Sequence, residues 1–200
     1  MRIAAKAAIA ALVFTGFTGL FPGEARAHLV TTGLGPVYDG ISHFALTPED
    51  LLPVLAFALL AGLSGPRYGR VALFVLPVAW LSGGLLGLSR SSELLMPALT
   101  ASTLLALGAL VALDRKLPLG LIAGLAAALG LFHGYLNGTA KLGALGLSGV
   151  AATLFLFVAL VAAFVVSLRA PWSRIAVRVA GSWLVAISML MLGWTFRAGE

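Results

Sequence analysis

Six apolar segments, separated by short interruptions of glycine, proline and charge, dictate what this chain can fold into. They run over about residues 48–63, 71–88, 94–113, 119–136, 147–168 and 175–196. Most approach the roughly 20 residues that carry an α-helix across bilayer hydrocarbon, where an unpaired backbone finds no water. The interruptions, such as Ser64-Gly65-Pro66-Arg67-Tyr68-Gly69-Arg70, Asp114-Arg115-Lys116 and Arg169-Ala170-Pro171-Trp172-Ser173-Arg174, combine turn formers with charge. No stretch is left over for a soluble domain. The expected fold is all-α: a polytopic membrane helical bundle of about six transmembrane helices over residues 48–200.

Composition narrows the partners. Charged residues make up 10% of the chain and mean hydropathy is +1.06, too little polarity to cover a soluble core. The net charge of +6 does not point to nucleic acid, because the basic residues are scattered over short connections instead of forming a stripe. The partner is the lipid bilayer. With no cysteine, any metal ion must be held by nitrogen and oxygen donors.

Residues 1–27 have the layout of a cleavable signal peptide: Arg2 and Lys6, an apolar run to Phe21, then Ala25-Arg26-Ala27. Cleavage would leave His28 as the mature N-terminus on the extracytoplasmic side of a bacterial inner membrane. An uncleaved first helix is the alternative and leaves the next segment on the same side. Alternating from there, inner loops hold Arg67, Arg70, Arg115, Lys116, Arg169, Arg174 and Arg178, against Arg90, Lys141 and Arg197 outside. That excess obeys the positive-inside rule.

Within the spans, glycines at four-residue spacing (Gly83 and Gly87; Gly120 and Gly124; Gly130, Gly134 and Gly138) suit close helix approach. Pro53, Pro77 and Pro97 are expected to kink their helices. Ser82, Thr100, Ser102, Thr103, Thr153, Ser182 and Ser188 either line a path or, as the better reading, hydrogen-bond helix to helix.

The scarce ionisable groups gather on the outer side. Thr47-Pro48-Glu49-Asp50 reads as a helix start, with Thr47 as cap, Pro48 in the first turn and Asp50 closing a capping box. A functional reading stands beside it, because the 16 residues from 48 to 63 span only ~24 Å and leave the acidic start below the membrane surface. The preceding residues 28–47, broken by Gly33, Gly35, Pro36 and Gly40, are expected to form an extracytoplasmic or re-entrant cap. Counting crossings brings the end of the fourth span to the same face, where His133 and Asn137 share one side of a helix at i and i+4. One outer pocket would collect His43, Glu49, Asp50, His133 and Asn137, with His28 and Asp39 as weaker candidates. Imidazole with carboxylate suits a borderline divalent metal ion, although a lone histidine near a helix end is more often a hydrogen-bonded interface residue.

At these residues the chain resembles the HupE/UreJ family of membrane proteins, associated with nickel hydrogenase and urease systems and regarded as nickel or cobalt permeases. Phe132-His133-Gly134-Tyr135 is similar to the family's later Phe-His-Gly-x-x-His-Gly motif. His43 with Pro48-Glu49-Asp50 looks like a divergent form of its first-helix motif, His-Pro-x-x-Gly-x-Asp-His. Two departures stand out: Glu49-Asp50 replace Asp-His, and Asn137 stands where another His is expected. The resemblance implies transport of a divalent metal ion, nickel or cobalt by default, through the outer pocket; exchanging imidazole for oxygen shifts preference toward harder ions. A non-transporting accessory role in the assembly of a metalloenzyme or a respiratory complex, beside the enzyme or its assembly proteins, is the alternative. A third reading rests on Gly146-Leu147-Ser148-Gly149, which resembles a rhomboid protease nucleophile motif. No histidine follows position 133 to serve as its base, and Gly62-Leu63-Ser64-Gly65 repeats the same letters in a loop.

Overall fold

The computed structural model describes residues 32–90 and 96–197, so the signal-peptide reading and His28 lie outside the described residues. Among the described residues seven helices follow one another: α1 (Pro36–Leu46), α2 (Pro48–Ser64), α3 (Pro66–Gly87), α4 (Met96–Leu113), α5 (Leu119–Thr139), α6 (Gly143–Ser167) and α7 (Pro171–Arg197). No strand occurs among the described residues. Helices α1, α2 and α3 open on proline, whose preset φ suits the first turn and whose missing N–H would be unpaired there anyway.

Helices α3 and α5 are each long and apolar enough to cross a membrane, as are α6 and, from Trp172, α7. Helices α1 and α2 pass the same test only together, bent by 73° at Thr47, and α4 is a shorter apolar helix. Among the described residues that makes four candidate spans by length and composition, or five with the bent pair as one, beside the six that the sequence pointed to.

Helix α2 is the axis of the molecule, packing against each of the other six. Its Val54, Ala56, Phe57, Ala58, Leu60 and Ala61 are buried, so it reads as apolar all round and has no solvent face. Around it, α4 pairs with α7, α3 with α5, and α6 with both α1 and α3. The α3–α5 pair is the tightest. A Cβ on Gly83 or Gly87 would collide with the carbonyls of Leu131 or Tyr135, and one on Gly134 or Gly138 with those of Trp80 or Gly84. The two backbones therefore touch, which only glycine permits.

The structure corrects several expectations. Gly120 and Gly124 face open space and mediate no close approach. Pro97 sits in the first turn of α4, not inside a span, whereas α2 and α3 run through Pro53 and Pro77. Helix α5 continues to Thr139 and α6 starts at Gly143, with Gly138 and Gly146 as packing positions on either side of the short connection. Asp114 and Lys141, with φ of 52° and 63°, make the turns after α4 and α5.

Candidate functional site

Asp50, in the first turn of α2, does not close a capping box: Thr47 precedes the helix in an extended conformation and makes no side-chain cap. The carboxylate is turned inward instead and is 4% exposed. Its Oδ1 accepts from His133 Nδ1 at 2.9 Å and its Oδ2 from Asn137 Nδ2 at 2.8 Å. The i and i+4 placement of these two residues on α5 grips both oxygens from one helix face. A carboxylate buried in a low-dielectric core needs such partners, since an unpaired charge there is costly.

His133 is the meeting point of four helices. Its imidazole is fully buried, stacks on Trp80 of α3 with ring centres 5.5 Å apart, and meets the edge of Phe132. Its Nε2 lies 3.1 Å from Thr103 Oγ1 on α4. The Thr103 hydroxyl also reaches the Thr100 carbonyl at 2.7 Å. One hydroxyl proton cannot serve both acceptors, so the direction of that O–H decides whether Nε2 accepts or donates.

His43, on α1, completes the group from the other side of the carboxylate. Its Nε2 stands 3.8 Å from Asp50 Oδ2, too far for a hydrogen bond. Beside them opens a pocket of ≈ 310 Å³, lined among others by His43, Glu49, Asp50, Thr100, Asn137 and Thr139. Among the described residues, Asn137 Oδ1 and Trp80 Nε1 are buried with no hydrogen-bond partner. Asn137 is one of the residues that line the pocket, and its unsatisfied carbonyl oxygen is an available acceptor.

Of the residues singled out from sequence, His43, Glu49, Asp50, His133 and Asn137 thus surround one place. Glu49 is exposed on its rim. Asp39 does not join them: its Oδ1 accepts from the Thr32 backbone N–H and hydroxyl, both at 2.6 Å. Among the described residues no three His, Asp or Glu side chains are arranged to hold a metal ion. The imidazole of His133 is engaged at both nitrogens, by Asp50 and by Thr103.

Apart from Thr103, the intramembrane hydroxyls hydrogen-bond within their own helices and not from helix to helix, and Thr100 borders the pocket. Ser82, Thr100, Ser102, Thr153, Ser182 and Ser188 each donate to a carbonyl three or four residues earlier in their own helix. Ser148 likewise donates to the Leu145 carbonyl at 2.7 Å and is exposed, with no imidazole hydrogen-bonded to it. Two members of the site went unrecognised in the sequence. Trp80 carried no signal that would separate it from a membrane-belt tryptophan, and Thr103 resembled six other hydroxyls.

A protein-family model described as HupE / UreJ protein matches residues 15–192. No curated protein and no solved structure matches the chain.

Proposed function

The chain belongs to the HupE/UreJ family of membrane proteins, and from that premise we propose that it takes up a divalent transition metal ion, nickel or cobalt, through the pocket between His43 and Asp50. In this reading it is a six-span protein of the bacterial inner membrane with the pocket facing outward, and it serves a nickel metalloenzyme or its assembly proteins. The observation that carries the proposal is the spacing of His43 Nε2 and Asp50 Oδ2, 3.8 Å apart beside an open pocket that Asn137 also lines. Donors that share one ion at about 2.1 Å each stand roughly 3 to 4 Å apart. That gap is too wide for a direct bond and suits a cation between them.

An incomplete cage is consistent with carriage. An ion held by every donor of a closed site would not leave it, and permeation needs binding weak enough to reverse. The carboxylate supplies negative charge, His43 a neutral imidazole nitrogen, and Glu49 at the rim a first attraction for a cation. Deeper in, His133 holds the carboxylate in place through Nδ1, as an outer partner orients a metal ligand.

A second reading draws on the hydroxyls, which apart from Thr103 hydrogen-bond within their own helices and, among the described residues, mark no polar route past His133. A protein that binds the metal without conducting it, as an accessory to metalloenzyme assembly, would need no path. Nickel flux into proteoliposomes separates the two. Uptake that falls at least tenfold in His43→Ala and Asp50→Asn supports transport; nickel binding by the parent protein with no flux overturns it.

A further inference from the structure

The opposite end of the molecule carries a different cavity. Where α3 begins and α6 ends, a groove of ≈ 490 Å³ opens between the two helices. Its wall is apolar, built from Leu73, Ala162, Ala163 and Val166, and its rim holds Arg70 and Arg169. It lies at the far end from Asp50, because α2 runs from the Asp50 end to this one and α3 starts back from it. Gly69 allows the approach, with Ala162 only 3.3 Å from where its Cβ would be.

The charge here is unbalanced. Arg70 and Arg169 are both exposed, and among the described residues neither has a carboxylate within ion-pair distance. The acid at this end, Asp114, is taken by Arg174 through two hydrogen bonds. An apolar trough that runs along the helices and ends in two unpaired guanidinium groups has the chemistry of one kind of molecule. Acyl chain matches trough, and a phosphate oxyanion matches the arginine fork.

We propose that this groove binds an anionic phospholipid, with its phosphate between Arg70 and Arg169 and one chain along Leu73, Ala163 and Val166. Basic pockets between transmembrane helices select anionic headgroups in this way. The inference rests on the geometry of α3 and α6 alone and stands whether or not the protein carries metal.

Native mass spectrometry of the full chain, released from vesicles of equal phosphatidylglycerol and phosphatidylethanolamine, tests it. The expected result is one phosphatidylglycerol retained per chain, favoured about 30-fold, the scale of attraction that two arginines near a membrane surface exert on an anionic headgroup. Arg70→Gln with Arg169→Gln should remove that preference. Val166→Trp, at an exposed position that keeps both arginines, should block retention by filling the trough. Arg67→Gln with Arg115→Gln, which removes the same charge from the same end, should change it less than about threefold. Equal retention of both lipids by the parent protein would overturn the proposal. So would an equal loss from the Arg67 and Arg115 pair, which would mean diffuse attraction, or a dimer lost with Val166→Trp in place of a lipid. Thermal unfolding of each variant in the same detergent establishes that it is folded.

Discussion

Two carboxylates, Asp50 and Asp114, each grip a nitrogen base, at opposite ends of one bundle. Asp50 is 5% exposed at its side chain, and its partner His133 is fully buried. Asp114 is 17% exposed and its partner Arg174 48%. By geometry alone the Asp114 pair is the stronger, with two parallel hydrogen bonds from a guanidinium that is always charged. Burial reverses the ranking of consequences. At the Asp114 end, water and salt can replace either partner, so the pair contributes little. At the Asp50 end nothing else can satisfy the freed groups, so every member holds the others in place.

The largest test of that contrast is Asp50→Ala. It strands His133 Nδ1 and Asn137 Nδ2 in the core and should cost about 3 to 5 kcal/mol, read as a large fall in the thermal midpoint in detergent. Next, Gly134→Leu should push α3 from α5 at the Trp80 carbonyl and cost about 1 to 3 kcal/mol, while also lowering nickel binding by displacing the neighbouring His133. Thr103→Val keeps the shape and deletes one hydrogen bond to His133 Nε2, for about 1 kcal/mol. Asp114→Ala should shift stability by no more than about 0.5 kcal/mol, and the shift should vanish in high salt. His43→Ala should be as mild as Asp114→Ala on stability, since His43 makes no hydrogen bond to the carboxylate, yet should abolish nickel uptake, which Asp114→Ala leaves intact. A large stability loss in Asp114→Ala, or none in Asp50→Ala, would break the comparison.

The sequence made the helical bundle legible because a membrane span writes itself into one dimension: length, apolarity and charged ends. It also made the gathering of His43, Asp50, His133 and Asn137 legible, since counting crossings puts the α2 start and the α5 end on one face. What it hid depends on directions of side chains. Asp50 could cap its own helix or turn inward, and the same four letters serve both. Thr103 could not be told from Thr100, because only tertiary packing decides which hydroxyl faces an imidazole. Gly120 and Gly124 could not be told from Gly134 and Gly138 for the same reason: a glycine pressed on a neighbouring carbonyl and one facing open space have equal side chains. Asp39 was placed near the pocket by sequence distance, and a local bond to Thr32 claimed it.

The glycine seam between α3 and α5 has a mechanical side. With their backbones in contact, the two helices form a single stiff beam that carries Trp80, His133 and Asn137 together. Asp50 and His43 ride on separate pieces. A cation taken up beside His43, as proposed, would pull on the same carboxylate that His133 and Asn137 hold, setting Asp50 against both helices at once. The far end of that pair, where α3 begins, is the end that carries Arg70.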